Sequence, residues 1–333
     1  MRKMTQVFKS FIMLANSRVT GKFKYKDIFQ LTPAPDHFPR PPYQEGHHPC
    51  ILEIKYEFTP DAEKKLPDGS EYPEWLQRKN IEKKVIDEIS NLFGVFSLSK
   101  FVDTLDKFSW TIGLDVNHPP IPEWRQLSYF ATDHQSEIDN FTNLSVPPID
   151  EIETSRIYNF GGRFFGSDFS IPNLFENILD AYYNLKQEEK NTFLRSAKLF
   201  NSALRIKSIS PSISFACFVS SIESIVEHIH KGANVEICKE CNAPRYSVTR
   251  KFKEFLKKYS SDSKELIDFY QRAYTKRSKI LHAGSLFLGE HTPEDWGDED
   301  WEKYHMNSGI ERICRIAFFN WISETSTLSQ PQI

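Results

Sequence analysis

The chain lacks the features that mark several common classes of protein. Its 333 residues include only five cysteines, an odd number with no disulfide framework, which is typical of a reducing compartment. No apolar run approaches the roughly 20 residues that span a bilayer. The apolar run at residues 11–15 is too short and too interrupted for a secretion signal. We therefore expect a cytoplasmic protein that does not bind a membrane.

An excess of positive charge is also missing. The formal net charge is −3, which excludes a uniformly basic nucleic-acid coat, so any anion-binding surface must be local. The sequence has no GxGxxG after a strand, no Walker loop, no HExxH and no GxSxG. These absences argue against the dinucleotide, nucleoside-triphosphate, metalloprotease and serine-hydrolase classes that such motifs mark.

What is present is enough apolar surface for well-packed cores, with 39% hydrophobic residues and 27 phenylalanines. In the first half, residues 52–58 and 110–116 alternate apolar and polar side chains, the period-two pattern of a half-buried strand. Between them, residues 81–92 carry apolar side chains at helical spacing, and Gly94 is a plausible stop. This half is predicted to be β-rich.

The second half has the apolar spacing of helices. Amphipathic stripes occupy residues 174–185 and 193–204, and Ser210-Pro211 opens a third, more apolar segment that is typical of the buried centre of a bundle. We predict an α+β protein with two domains. Residues 1–165 form a mixed α/β, β-rich sensing or regulatory domain, and residues 166–333 form an all-α helical bundle.

Arg277 and His282 are the most informative pair of residues. Arginine holds a phosphate with a planar fork of donors, and histidine titrates near neutral pH and can move a proton. Residues five apart on a regular helix lie about 140° apart around its axis. The two side chains therefore meet at one phosphate only if the helix ends near His282, where Gly284 is a natural stop, or if two subunits share the site.

Spacing alone favours a less specific interpretation. A histidine in the last helical turn is often only a partner of the helix dipole, and an arginine one turn earlier is often a solvated surface charge. Short motifs of this kind have high false-positive rates.

The segment 273–284, AYTKRSKILHAG, resembles the signature helix of the HEPN superfamily, particularly its Apea-like branch. That signature is an Arg, four to six residues and a His, often with a Tyr before and a Gly after. The segment 218–226, FVSSIESIV, is similar to an earlier family helix with an embedded Ile-Glu. The resemblance covers about residues 171–325. It departs from the pattern at Ser278, where many members have Asn or Asp.

The resemblance implies a homodimer that cleaves RNA, including tRNA as a candidate target, without a cofactor for catalysis. In this interpretation His282 transfers protons, Arg277 binds the scissile phosphate and Glu223 orients either of them. Tyr274 stacks on a base, or alternatively packs in the core. Members of this kind often act as toxins or in anti-phage abortive infection, which implies a phage-derived trigger or an antitoxin as a further partner. The alternative is a non-catalytic HEPN-like module that binds nucleic acid or protein.

Basic side chains near the pair are the predicted contacts to the RNA backbone. They are Lys276 and Lys279 on the Arg/His segment, and Arg250 and Lys253 in the basic segment before it.

Cys238 and Cys241 form one CxxC pair, which supplies half of a tetrahedral zinc site. His228 and His230 lie just upstream, and either is a candidate third ligand. A zinc ion bound here would be structural. The other interpretation is a redox pair, although no thioredoxin-like βαβ pattern surrounds it.

Overall fold

The structure is a computed structural model. It describes residues 4–15, 18–19, 21–35, 48–61, 63–96, 101–103, 109–113, 123–127, 174–232, 236–237, 244–245, 248–287, 290 and 298–329. The chain divides into two compact units, and each is described by itself.

The N-terminal unit is built on a five-stranded sheet in the order β2-β3-β4-β1-β5, with every neighbouring pair antiparallel. The strands are β1 (Thr5–Ala15), β2 (Phe23–Tyr25), β3 (Phe29–Pro33), β4 (His48–Phe58) and β5 (Phe101–Asp103). The strand predicted over residues 52–58 is confirmed within β4. A separate pair, β6 (Ser109–Gly113) and β7 (Glu123–Leu127), includes residues 110–113 of the second predicted strand, whose residues 114–116 lie outside the described residues.

Helix α1 (Glu74–Phe96) covers one face of this sheet. Alternate residues of β4, including Leu52 and Ile54, are fully buried, as expected for the inward side of a strand. The ring of Phe93 on α1 lies 5.8 Å from the ring of Phe29 on β3. Gly94 lies inside α1, so the helix ends two residues later than the stop predicted from its sequence.

The C-terminal unit is helical. Its elements are α2 (Phe175–Tyr183), α3 (Gln187–Ile206), α4 (Pro211–Ile229), the short strands β8 (Glu236–Ile237) and β9 (Pro244–Arg245), α5 (Val248–Tyr259), α6 (Lys264–Ala283) and α7 (Asp298–Ser329). The predicted start of α4 is confirmed, because the Ser210 side chain caps the helix and Pro211 occupies its first turn. Gly284 ends α6 in the left-handed conformation, with φ of 63°.

Helix α4 is the centre of this unit, because it contacts α3, α5, α6 and α7. Phe218 on α4 is fully buried, and its ring lies 5.1 Å from that of Phe200 on α3. Phe200 in turn meets Phe318 on α7 at 5.9 Å. Together with the N-terminal sheet, this bundle confirms the predicted α+β class.

Among the described residues, α4 is also the one helix long and apolar enough to satisfy a composition test for a membrane span, with a mean hydropathy of 1.2. More than half of that window, 56%, is buried inside the protein. Burial of this kind is compatible with the core helix of a soluble protein.

Candidate functional site

Helices α4 and α6 run antiparallel and bring Glu223 to Arg277. Arg277 Nη2 lies 2.6 Å from Glu223 Oε2. Nearer the N-terminus of α4, the backbone N–H of Phe287 donates to Ser212 Oγ at 2.6 Å. Residue numbers therefore rise along α4 as they fall along α6, and Glu223 meets Arg277 in the middle of the helix pair.

The Glu223 carboxylate accepts hydrogen bonds from three neighbours, namely Arg277, Tyr274 and Ser220. Tyr274 precedes Arg277 by three residues, so both side chains lie on the face of α6 that meets α4. The side chains of Arg277 and Glu223 are 19% and 16% exposed. The pair is therefore largely shielded from water while one edge stays accessible.

Burial raises the pKa of the Glu223 carboxyl above its usual value, against the opposing charge of Arg277 and the hydrogen bonds of Tyr274 and Ser220. The pKa of the Tyr274 phenol is also raised, first by burial and then by the negative charge of Glu223. Each shift favours the neutral acid. The cluster thus carries a carboxylate and a guanidinium in surroundings that make charge costly, which is common at functional sites.

The ring of Tyr274 packs against another aromatic ring inside the protein. Its centroid lies 5.3 Å from that of Phe252 on α5, and its hydroxyl reaches Glu223. These contacts correspond to the packing alternative considered for Tyr274 and position it as a support for Glu223.

His282 lies in the last turn of α6, and its side chain is exposed. Because α6 continues to Ala283, His282 and Arg277 sit on one uninterrupted helix and point about 140° apart. Within the described part of the chain, no hydrogen bond or ion pair holds the imidazole. A single chain therefore does not bring these two side chains to one phosphate.

The other predicted RNA contacts lie around this helix pair. Lys276 Nζ donates to the Leu286 carbonyl at 3.4 Å and lies 4.6 Å from the centre of the Phe287 ring, so it faces the segment after α6. Lys279 is exposed. On α5, Arg250 Nε lies 3.6 Å from Glu254, and Lys253 Nζ donates to Gln271 of α6 at 2.8 Å.

An open groove of about 670 Å³ lies beside the Arg277–Glu223 pair. Its lining comes from α3, α4 and α6 and consists of Arg195, Lys198, Leu199, Ser202, Ser220, Glu223, Ser224, Glu227 and Arg277. Arg195 and Lys198 were not predicted as site residues from the sequence. Their spacing places both on one face of α3, but exposed basic pairs on amphipathic helices are too common to identify a site without the fold.

The zinc prediction falls mainly outside the described residues. Cys238 and Cys241 lie in the segment that connects the paired strands β8 and β9. His228 Nδ1 lies 3.9 Å from Glu188 Oε1, and His230 occupies the C-cap of α4. Within the described ranges no three His, Cys, Asp or Glu residues cluster as metal ligands. The prediction therefore stays a prediction.

Glu290, in the segment that follows α6, ties that segment to α4. Its carboxylate accepts hydrogen bonds from Ser210 Oγ at 2.8 Å, from the Ser212 backbone N–H at 3.1 Å and from the Ser212 hydroxyl. A carboxylate at this position satisfies free N–H groups and complements the dipole of α4. It fixes the segment that follows His282 to the start of α4.

Comparison with known proteins returns no match. No family model fits the chain, and neither a curated protein nor a solved structure is significantly similar to it. The resemblance to the HEPN superfamily therefore rests on the residues of α4 and α6 alone.

Proposed function

We propose that the chain is a metal-independent endoribonuclease whose site uses Arg277 and His282 at a cleft between two copies. The observation that carries this proposal is the placement of Arg277. It is held by Glu223 at the edge of an open groove, on the same helix as an exposed His282. A second copy supplies what one helix cannot, namely an imidazole beside the guanidinium of its partner.

The reaction follows from the chemistry of RNA, which carries its own nucleophile. The imidazole of His282 takes the proton of the 2′-hydroxyl as the 2′-oxygen attacks phosphorus. Arg277 stabilises the negative charge that develops on the phosphoryl oxygens. The bond from phosphorus to the 5′-oxygen breaks, and that oxygen receives a proton from a solvent water, while the protonated His282 returns its proton to the solvent. The products are a 2′,3′-cyclic phosphate and a free 5′-hydroxyl.

Glu223 is a positioning residue in this proposal. Its ion pair holds the guanidinium in one orientation, which reduces the entropy lost when a phosphate binds. Arg277 Nη2 bonds to Glu223, while the side chain keeps 19% of its surface exposed and lines the groove. The exposed edge of the guanidinium is therefore accessible to a phosphate.

The resemblance also supports a cellular role in the cytoplasm, in which RNA cleavage arrests growth as an anti-phage or toxin response. The N-terminal unit would then sense a phage component or restrain the nuclease, and tRNA is the first RNA to test. These roles rest on analogy to the family and not on the site.

A non-catalytic module that binds RNA or protein is the second candidate. The observation that favours it is the same ion pair, because an arginine bonded at 2.6 Å to a carboxylate can also be structural. In that case neither wild type nor His282→Ala cleaves RNA.

The test is cleavage by purified protein in EDTA. Wild type, His282→Ala, Arg277→Ala and the control His305→Ala are incubated with labelled tRNA and with a mixed RNA pool, and the product ends are mapped. We expect discrete fragments with cyclic-phosphate ends from wild type and His305→Ala only. Equal cleavage by all four proteins would assign the activity to a contaminant or to other residues.

A further inference from the structure

The groove beside Arg277 contains two basic residues that the proposed site does not use. Arg195 and Lys198 are exposed on α3 and three residues apart, so they lie on the same side of that helix. Arg195 makes one long hydrogen bond, to Thr192 Oγ1 at 3.3 Å. Lys198 has no ion pair within the described ranges. Both cations are therefore available to a ligand in the groove.

Contacts between the helices place these two cations along the site. Ser214 Oγ donates to the Ala203 carbonyl at 2.8 Å, and Lys231 just after α4 pairs with Glu188 at 3.0 Å. Helices α3 and α4 are thus antiparallel, as α4 and α6 are. Arg195 lies at about the level of Glu223, and Lys198 lies farther toward the end of the bundle that holds His282.

Acidic and basic residues are unevenly distributed along the groove. Glu223 is paired with Arg277, whereas Arg195 and Lys198 form no ion pair with another residue of the lining within the described ranges; Arg195 interacts electrostatically with Glu188, outside the groove on the same helix. The remaining acidic residue, Glu227, lies one turn of α4 beyond Glu223 on the side away from His282. The basic part of the groove therefore runs from the level of Arg277 toward His282.

We propose that Arg195 and Lys198 bind a phosphate of single-stranded RNA next to the phosphate that Arg277 holds. Lys198 lies about 4.5 Å along the bundle from Arg195, and His282 about 7.5 Å from Arg277, at 1.5 Å per residue. A strand laid along this groove passes the two cations of α3 as it approaches the reacting position. The hydroxyl groups of Ser202 and Ser224 on the lining are further donors for its sugar and phosphate oxygens.

The inference rests on the proposed function for its ligand, but its test measures binding separately from cleavage. The His282→Ala protein is titrated into a fluorescein-labelled single-stranded RNA, and the anisotropy is followed from low to high salt. Adding Arg195→Ala and Lys198→Ala should weaken binding at low salt and reduce the salt slope by about 0.7, the value for one lost phosphate contact on a single strand. Circular dichroism checks that each variant is folded.

Two controls distinguish the groove from total charge. The pair Arg205→Ala and Lys264→Ala removes the same charge from exposed positions outside the groove, and the slope should stay near its parental value. Glu227→Gln removes the opposing carboxylate and should tighten binding several-fold at low salt. An unchanged slope in the groove variant, or an equal loss in the Arg205/Lys264 control, would overturn the inference.

The outcomes separate the two proposals. Cleavage by wild type together with an unaltered slope in the groove variant retains the nuclease and rejects the groove contact. A reduced slope without cleavage by wild type retains the groove contact and rejects the nuclease. If the parental His282→Ala protein does not bind RNA, both proposals are rejected. If inorganic polyphosphate of matched charge competes as well as RNA does, RNA is rejected as the specific ligand.

Discussion

Arg277 and Glu223 form an ion pair across α6 and α4 with the nitrogen and oxygen 2.6 Å apart. Their side chains retain less than a fifth of their surface to solvent. Such a pair has opposing consequences, since burial makes each charge costly while the partner offsets that cost.

Replacing Glu223 should change how stability depends on pH. Because burial raises the pKa of Glu223, the folded state binds its proton more tightly than the unfolded state does. The stabilisation that follows is fully present below the unfolded pKa and is lost as pH rises through the folded pKa. Wild type should therefore lose unfolding free energy relative to Glu223→Gln as pH rises above about 4.3, the ordinary glutamate value.

Urea denaturation of both proteins from pH 4 to pH 8 measures this difference. Glu227→Gln, an exposed change one turn farther along α4, is the control for the loss of one carboxylate. A slope of the opposite sign would mean that the charge of Arg277 outweighs burial at Glu223.

A shared site predicts complementation between two inactive proteins. If Arg277 of one copy works with His282 of the other, a mixed dimer of Arg277→Ala and His282→Ala retains one intact site. An equimolar mixture in which subunits exchange freely should recover about one quarter of wild-type cleavage, because half of the dimers are mixed and each has one of two sites. Native mass spectrometry checks the exchange. No recovery after confirmed exchange would place both residues in the same chain's site.

A second buried charge cluster controls stability rather than chemistry. Arg315 on α7 is 2% exposed and lies 3.1 Å from Glu311, which also pairs with Lys207 at 2.8 Å. Glu311→Gln leaves the buried guanidinium without this anion and should cost about 3 kcal/mol of unfolding free energy. Adding Arg315→Met should recover part of the loss, since an apolar side chain removes the buried charge. Denaturant titration of the three proteins at pH 7 measures these changes.

The same cluster should weaken in acid. Burial raises the pKa of the Glu311 carboxyl, but Arg315 and Lys207 outweigh that effect, so its pKa lies below the usual value. The contribution is present above the unfolded pKa and is lost as pH falls through the folded one. The difference between wild type and Glu311→Gln should therefore shrink in that acidic range. A difference that stays constant would contradict the lowered pKa.

Removing the carboxylate of Glu290 should destabilise the start of α4. Glu290→Ala leaves the Ser212 backbone N–H and two hydroxyls without their acceptor, and we expect a loss of about 1 kcal/mol, typical of a helix cap. Hydrogen exchange should rise at residues 285–287, which Glu290 ties to α4. The exposed change Glu254→Ala on α5 is the control. Unaltered exchange at these residues would mean that Glu290 does not hold the segment.

Most of the secondary-structure elements follow from local patterns of apolar and polar residues in the sequence. Period-two alternation located β4, and apolar spacing located α3 and α4, including the start of α4 at Ser210-Pro211. The prediction that Gly94 ends α1 was wrong. A glycine destabilises an α-helix by only about 1 kcal/mol, and the packing of α1 on the sheet outweighs that cost. The prediction that Gly284 ends α6 is confirmed, because a residue in the left-handed conformation ends a helix whatever surrounds it.

The composition, the Arg277 and His282 spacing, the start of α4 at Ser210 and the end of α6 at Gly284 were thus determined by the sequence itself, since each depends on residues close together in the chain. Tertiary structure alone decided that Glu223 meets Arg277 and not His282, that Tyr274 supports that carboxylate, and that Arg195 and Lys198 share a groove with them. Glu223, Arg195 and Lys198 lie on other helices than Arg277, and only the antiparallel packing of α3, α4 and α6 sets which of their turns meet.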